Sequence, residues 1–315
     1  MRLLFPLLIF CLAVVSKAQA EPIEVTAVAK QFNTEDPAQD RVGRLLWRTT
    51  LELESPDTRF GGFSGLLVSG DGRQLLAVSD KGHWLKADLD SNGAGTPTGL
   101  SGAELFPLRD ESGAELGTQK ERGDAEGLAR GADRRLLVSF ERDHRILAYT
   151  DPTSAAEVLP TDFGLTAGSN EGVEGLESLR GGDLLALVEG AAGAPGRGFL
   201  RHNGVWSPLA YQRSRSLLPV GATAAQDGRV YVVERSWSMI GGLEIRVVRL
   251  AAGSVAPGAE LKPEVLAAMT PPLLIDNFEA IAARVTPGGE TLLYLLSDDN
   301  FNPVQRTLLT VFAVE

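Results

Sequence analysis

The stretch Asp124-Ala125-Glu126-Gly127-Leu128 is one copy of a short motif that recurs along most of the chain. Related stretches begin at Gly62 (GFSGL), Gly172 (GVEGL), Val220 (VGATA, the weakest copy) and Asn277 (NFEAI). Each copy is followed by an apolar run that ends in an acidic residue. Units that open in the same way and have similar lengths indicate radial repetition, so the sequence predicts an all-β protein with a β-propeller fold.

The repeat also predicts how the ring is built. Four strands per unit give five four-stranded blades, and a six-bladed ring is the alternative if residues 21–60 hold more sheet. A strand is predicted over Leu45 to Leu53, before the first unit. Only three strands are recognisable in the last unit, so we expect this N-terminal strand to complete it and close the ring. Outside the strands, Leu261 to Met269 could form one or two helical turns.

The N-terminus has the features of a secretory signal peptide. Arg2 precedes an apolar stretch from Leu3 to Val15, and Ala18-Gln19-Ala20 forms an A-x-A cleavage site. A membrane anchor is the alternative, but the apolar stretch is short for a membrane span. We therefore expect cleavage after Ala20, a periplasmic or secreted protein, and no membrane span after cleavage.

We divide the chain into a signal peptide over residues 1–20, an N-terminal extension over 21–42 and a single propeller domain over 43–315. The formal net charge is −11, and loss of Arg2 and Lys17 with the signal peptide makes it −13. This charge disfavours nucleic acid and anionic membrane surfaces as partners. We expect a monomer that binds a small-molecule ester or anionic ligand.

Acidic residues recur at two positions of the repeat. The first strand of each blade lines the central channel of a propeller, so equivalent residues converge on one axis. The predicted residues of the first strands are Ser64, Glu126, Glu174, Thr223 and Glu279. The residues predicted to end the second strands are Asp80, Glu141, Glu189, Glu234 and Asp298. We predict that these side chains form one ring at a mouth of the channel.

Such a ring of carboxylates requires compensation. At about 5 Å and an effective dielectric constant near 20, each pair of carboxylates repels by roughly 3 kcal/mol. Either some are protonated or a cation lies among them. Oxygen ligands without His or Cys suit a hard ion, and Ca²⁺ is the first candidate. The predicted metal ligands are Asp80, Glu126, Glu174, Glu189, Glu279 and Asp298.

Basic residues stand beside these acids. They could bind an anion such as phosphate, or they could form salt bridges between blades. The predicted substrate-binding residues are Lys81, Arg122, Asn300 and Arg306. The predicted catalytic residues are His83, Glu141, Arg142, Glu234 and Arg235. His83 could act as a general acid or base, although a histidine on a third strand is more often a hydrogen-bonded surface residue.

Eight stretches of the chain are characteristic in combination, namely Phe60 to Leu66, Ser79 to Gly82, Asp124 to Leu128, Phe140 to Arg142, Asn170 to Glu177, Asp276 to Ile281, Ser297 to Phe301 and Gln305 to Thr307. Taken together, they resemble the phytase-like, or "esterase-like activity of phytase", family of exported bacterial proteins. The resemblance covers about residues 60 to 312 and implies a propeller that hydrolyses a phosphate or carboxylate ester. It implies no particular catalytic residue.

Two functions remain open at this point. The first is an exported hydrolase whose acidic mouth binds Ca²⁺ and a phosphate ester, with lactones and carboxyl esters as further substrates that the sequence does not separate. The second is a non-catalytic periplasmic propeller that binds a ligand or a protein and holds a structural cation. Ser64 and Ser79 lack a G-x-S-x-G context, so the sequence disfavours a serine hydrolase.

Overall fold

The computed structural model describes residues 20–93, 95–117, 120–165, 171–214 and 216–315. The predicted signal peptide up to residue 19 and Asn170 lie outside the described residues. Five sheets follow one another along the chain, and the first strands of neighbouring sheets pack together in a closed ring. The fold is therefore a five-bladed β-propeller, as predicted, rather than a six-bladed one.

The only helix among the described residues is the single turn α1 (Lys120–Gly123), and no described helix is long and apolar enough to cross a membrane. In chain order the strands are β1 (Glu21–Pro22), β2 (Thr26–Lys30), β3 (Arg41–Val42), β4 (Leu45–Glu54), β5 (Phe63–Val68), β6 (Gln74–Ser79), β7 (His83–Ser91), β8 (Pro97–Pro107), β9 (Ala125–Arg130), β10 (Leu136–Phe140), β11 (Ile146–Tyr149), β12 (Glu157–Leu159), β13 (Val173–Ser178), β14 (Leu184–Val188), β15 (Gly196–His202), β16 (Val205–Tyr211), β17 (Leu218–Ala224), β18 (Val230–Ser238), β19 (Gly242–Leu250), β20 (Glu260–Leu261), β21 (Glu264–Met269), β22 (Phe278–Val285), β23 (Thr291–Ser297) and β24 (Thr307–Val314).

Blades one to four run outward from β5, β9, β13 and β17, and blade five runs outward from β22. The predicted closure of the ring is confirmed, because β4 pairs antiparallel with β24 in blade five. Thr50 lies opposite Thr310 in this pairing, and their buried hydroxyl oxygens are 3.0 Å apart. The N-terminal strand β4 thus completes the last blade, so the outer edge of β24 is paired rather than exposed.

The stretch that we expected to be an extension before the propeller carries strands of its own. β1 pairs with β8 of blade one, while β2 and β3 pair with β4 of blade five. Ile23, Val25 and Ala27 pack against the apolar cluster between these two blades. Residues 21–42 therefore lie on the outer edges of the propeller, because their alternating apolar side chains find a surface there.

Leu261 to Met269 is not helical. β20 pairs in parallel with β16 of blade three, and β21 pairs with β19 as the outer strand of blade four. Such a short apolar run fits the periodicity of a helix and of a strand equally well. The strand forms because it pairs with the edge of β19.

Five apolar clusters hold the ring together, one at each interface between neighbouring blades. Trp84 of blade one packs edge-to-face on Tyr149 of blade two, with ring centroids 5.4 Å apart. Because the core lies between the blades, the channel is free to carry polar side chains.

Candidate functional site

A β-bulge interrupts the pairing of the first two strands near the same end of every blade. In blade five, Phe278 pairs with Ser297 and Ala280 with Leu296, so Glu279 has no partner in the ladder. A bulge bends the strand and redirects the side chain at that point. The first-strand residues that follow the pair on the mouth side of the bulge, as Glu279 follows Phe278, are Ser64, Glu126, Glu174, Val220 and Glu279. The repeated motif of the sequence is therefore the motif of this bulge.

The second strand of each blade supplies the next residue of the mouth. The residues that follow the pair on the mouth side of the bulge are, on that strand, Asp80, Glu141, Glu189, Arg235 and Asp298. Only in blade four does the pairing continue, because Arg235 itself pairs with Leu218. Four of these positions are acidic and the fifth is an arginine. We refer to these ten positions, five from each strand, as the mouth ring.

Blade four departs from the alignment of the sequence copies. Pro219 pairs with Glu234, so Val220 and Arg235 occupy the ring positions of this blade. The Glu234 carboxylate instead accepts a hydrogen bond from the Tyr211 hydroxyl at 2.9 Å. Thr223 lies farther along β17, where its hydroxyl accepts a hydrogen bond from the Ala283 amide at 3.0 Å. Neither Glu234 nor Thr223 belongs to the ring, because the fourth copy is too divergent in sequence to fix its register.

The acids of the ring come close enough to oppose one another's ionisation. Burial raises the pKa of Glu126 well above its ordinary value, and the charges of Glu174 and Glu279 add to this effect. Burial and the neighbouring Glu279 raise the pKa of Asp298 to about 9. Ser64 reaches the same group, since its hydroxyl donates to Glu279 Oε2 at 3.5 Å. The predicted convergence of these side chains is therefore present in the structure.

Arg235 neutralises one side of the ring. Its Nη2 donates to Glu189 Oε1 at 3.0 Å, and its Nη1 donates to Glu279 and to the Asn277 side chain. Although burial opposes the charged form, Glu279 and Glu189 hold the pKa of Arg235 above its ordinary value. Arg235 thus supplies, for Glu189 and Glu279, part of the compensation that the ring of carboxylates requires.

The opposite side of the ring holds a carboxylate triad. Among the described residues, Asp124, Glu126 and Glu141 form the one group of three or more acids whose oxygens lie within 4.8 Å of one another. All three are buried. Burial and the nearby Asp124 raise the pKa of Glu141 to about 7. The Arg142 side chain donates to Asp124 Oδ2 at 2.6 Å.

The triad differs from the ligand set predicted from the sequence. Only Glu126 is common to both, Glu141 was predicted as a catalytic residue, and Asp124 was missed. Asp124 is the first residue of the repeated motif, two residues before Glu126. This place in the motif was the sequence signal that could have identified it as a ligand, although it does not occupy a ring position. The other predicted ligands are Asp80, Glu174, Glu189, Glu279 and Asp298, which lie in the ring but outside the triad.

Asp80 and Asp298 mark the border between blades one and five. Asp298 Oδ1 accepts a hydrogen bond from the Asn300 amide at 2.6 Å. Lys81 Nζ lies 3.7 Å from Asp80 Oδ2 and 5.0 Å from the centroid of the Phe301 ring. Gly62 has φ +65°, and a Cβ there would be 2.1 Å from Asp80 Oδ1, so this copy of the motif requires glycine at its first position.

The remaining predicted residues lie beside the ring or away from it. Arg306 Nε donates to Asp276 Oδ2 at 3.1 Å. Arg122 Nη1 donates to Asp110 Oδ2 at 3.3 Å, so the salt-bridge alternative describes this residue. His83 does not join the ring: burial lowers its pKa, and the charged groups that act on it are Arg59, Asp57 and Glu115.

The fold and the site define a class of protein, namely a five-bladed propeller with an acidic channel mouth formed by bulged inner strands. The chain belongs to the phytase-like family, described as "Esterase-like activity of phytase", which matches residues 58–301. No curated protein matches it.

Several solved propellers are similar in fold. A gluconolactonase from Xanthomonas campestris has 14% identity and a TM-score of 0.46, with 96% of this chain and 99% of that chain covered. An endo-arabinase from Bacteroides thetaiotaomicron has 12% identity and a TM-score of 0.49, with coverages of 82% and 95%. A virginiamycin B lyase from Staphylococcus aureus has 10% identity and a TM-score of 0.46, with coverages of 93% and 100%. At these values the likeness concerns the fold alone.

Proposed function

We propose that the protein is an ester hydrolase whose reaction takes place at the mouth ring with a bound divalent cation. Phosphate esters are the favoured substrates, and lactones and carboxyl esters are the alternatives. The observation that carries this proposal is the triad of Asp124, Glu126 and Glu141, whose oxygens lie within 4.8 Å of one another. Membership of the phytase-like family supports the reaction class.

The triad fits a hard cation. Its donors are carboxylate oxygens only, and such sets suit Ca²⁺ or Mg²⁺ better than softer metals. The charges of Glu174 and Glu279 reinforce the effect of burial on Glu126, so a positive charge would relieve a real repulsion. A cation held by these residues would polarise the ester and lower the pKa of a water.

Arginines on two sides of the mouth complete the chemistry. Arg142 is held on Asp124, and Arg235 is held on Glu189 and Glu279. In the proposed reaction both guanidinium groups stabilise negative charge on the oxygens of the ester. The oxygen of a water forms the new bond to phosphorus or carbon, and the ester oxygen leaves as an alcohol. A carboxylate of the ring carries the proton from the water to the departing oxygen.

A second candidate function is a non-catalytic binding propeller. The observation that favours it is the pairing of Arg235 with Glu189 and Glu279, which compensates part of the ring without any ligand. In that case the cation at the triad has a structural role, and the mouth binds an anionic ligand.

Metal analysis followed by an ester panel separates the two functions. We expect about one divalent cation per chain, and turnover of a phosphomonoester that chelator abolishes. The variant Glu141→Gln removes a triad ligand, whereas Glu234→Gln changes a predicted acid that lies outside the ring and serves as the control. A chelator-induced fall in Tm without turnover of any phosphate, carboxyl or lactone ester would select the binding propeller.

We also propose that the chain is exported, remains monomeric and folds from Glu21 onward as a single domain. The support is the N-terminal sequence and the pairing of β1 and β2 with the outer blades. N-terminal sequencing of the protein recovered from outside the cytoplasm should begin at Glu21. A first residue of Met1 would contradict cleavage.

A further inference from the structure

Blade four builds a wall beside the mouth. In the other blades the second strand ends directly before its ring position, at Ser79, Phe140, Val188 and Ser297. β18 instead runs through Arg235 and on to Ser238, still paired with β19 up to the pair Ser238 and Gly242. We call residues 235–243 the blade-four wall.

A groove lies between this wall and the loop that follows β23. Its volume is about 670 Å³, which falls in the range of roughly 300–1,000 Å³ of small-molecule sites. Arg235 of the mouth ring lines this groove, together with the neighbouring polar residues Asp276, Asn277 and Asn300. Its apolar lining residues include Leu218, Trp237, Leu243 and Val304.

Two apolar residues of the groove, Trp237 and Val304, are unusually exposed to solvent. Trp237 is 70% exposed and Val304 is 82% exposed. Met239 and Ile240, at the tip of the same hairpin, are more exposed still. Single exposed apolar side chains are normal, but a group of them around one groove marks a binding surface.

We propose that this groove binds the aryl or alkyl part of the ester whose head lies at the mouth ring. The inference rests on the proposed function and adds the class of substrate to it. Arg235 and Trp237 are two residues apart on one strand and so share a face, separated by about 7 Å. This backbone spacing allows an ester whose head lies at the mouth beside Arg235 to place an apolar group against Trp237 through a short linkage.

The groove favours a small molecule over a larger partner for two reasons. It is concave, and it is continuous with the mouth ring through Arg235. Its lining combines polar residues of the mouth with apolar side chains such as Trp237 and Leu243, so a ligand with a polar and an apolar part can contact both. A flat protein interface requires neither feature.

The test uses the intact protein and a series of methyl, butyl and hexyl phosphonates, which are not hydrolysed, beside the corresponding phosphate esters. We expect affinity and kcat/KM to rise about threefold for each added methylene up to the length of the groove. Trp237→Ala should weaken this dependence and lower kcat/KM for the hexyl ester about tenfold, the worth of about two methylenes, while the methyl ester changes less than twofold. Trp237→Phe should retain most of the dependence.

Val205→Ala is the matched control, because Val205 is also 70% exposed but lies on β16 of blade three. It should leave every ligand unaffected. Both Trp237 variants are expected to fold, since the side chain is mostly in solvent, and Tm measurements check this.

The outcomes separate the two proposals. If no ester is turned over but hexyl phosphonate binds more tightly than methyl phosphonate through Trp237, the proposed hydrolase fails and the groove stands. If esters are turned over with no dependence on chain length or on Trp237, the groove proposal fails and the hydrolase stands. Concentration-dependent dimerisation, or binding to neutral lipid vesicles, that is lost in Trp237→Ala while chain length has no effect would assign the wall to another partner and overturn the inference.

Discussion

Replacement of Arg235 by methionine is the most direct test of how the mouth ring is held together. Methionine keeps much of the side-chain volume but removes the charge that Glu189 and Glu279 share. Without it, the buried Glu279 and the partly buried Glu189 repel each other by roughly 3 kcal/mol, taking a separation on the order of 5 Å and an effective dielectric of about 20. Removal of one partner of a buried ion pair typically costs about 3–5 kcal/mol.

We therefore expect Arg235→Met to lower the free energy of unfolding by about 3 kcal/mol at pH 8 in the presence of chelator. For a chain of this size that corresponds to a fall in Tm of roughly 5 °C. Urea denaturation followed by circular dichroism measures the first quantity, and a thermal scan measures the second. The matched control is Arg229→Met, which breaks the exposed pair with Asp227 and should cost less than about 1 kcal/mol.

The pH dependence of this deficit follows from the carboxylates. The pKa of Glu189 is already raised by burial, and Arg235 opposes that rise, so loss of the arginine raises it further. A carboxylate with a raised pKa in the folded state destabilises the protein as pH rises through that pKa. The difference between wild type and Arg235→Met should thus be small at pH 5 and full at pH 8.

A second change should reverse the first. Glu279→Gln in the Arg235→Met background removes one of the two uncompensated charges and should restore most of the lost stability. If Arg235→Met is no less stable than Arg229→Met at pH 8 without metal, the ring does not depend on this cation and the reasoning fails.

Three further predictions concern the triad, the far end of the channel and the closure of the ring. Asp124→Asn should weaken Ca²⁺ binding, measured by calorimetry, by more than about tenfold, whereas Glu234→Gln should leave it unchanged; equal effects would contradict the triad. Burial raises the pKa of Glu177 from 4.5 to about 8, so its contribution to stability is present below pH 4.5 and lost as pH rises through 8. The free energy of unfolding of Glu177→Gln, measured by urea denaturation, should match that of wild type near pH 5 and exceed it by roughly 2 kcal/mol at pH 9. Parallel stability curves of the two proteins would refute this. Leu51→Ala in buried β4 should cost about 2–5 kcal/mol by urea denaturation, against less than about 1 kcal/mol for Val28→Ala, which is 47% exposed on β2; similar losses would show that β4 does not close a packed blade.

The sequence predicted the ring because the repeat reports a geometric constraint that every blade must meet. Glu126, Glu174 and Glu279 occupy the bulge of three blades, and the same short motif surrounds each of them. The closing strand was predictable for a similar reason, since three strands in the last blade leave an edge to be paired.

Blade four could not be aligned because its bulge carries an apolar residue. Val220 has none of the chemistry of the other bulge positions, so Glu234 was the nearest acid and Arg235 was placed one position outside the ring. The triad was missed for a different reason. Asp124 comes directly before β9 and only two residues before Glu126, and it was left out because the ligands were taken from the two ring positions alone.

The pairing of β4 with β24 has a consequence for how the protein is made. Thr50 and Thr310 stand 260 positions apart, so all the residues between them must be synthesised before they meet. Until β24 is synthesised, β4 can pair with β2 on one edge only, and its other edge has unpaired backbone groups. Such an edge can pair with strands of other chains. Nascent chains are therefore most vulnerable to aggregation in the interval before their last eight residues of strand are delivered.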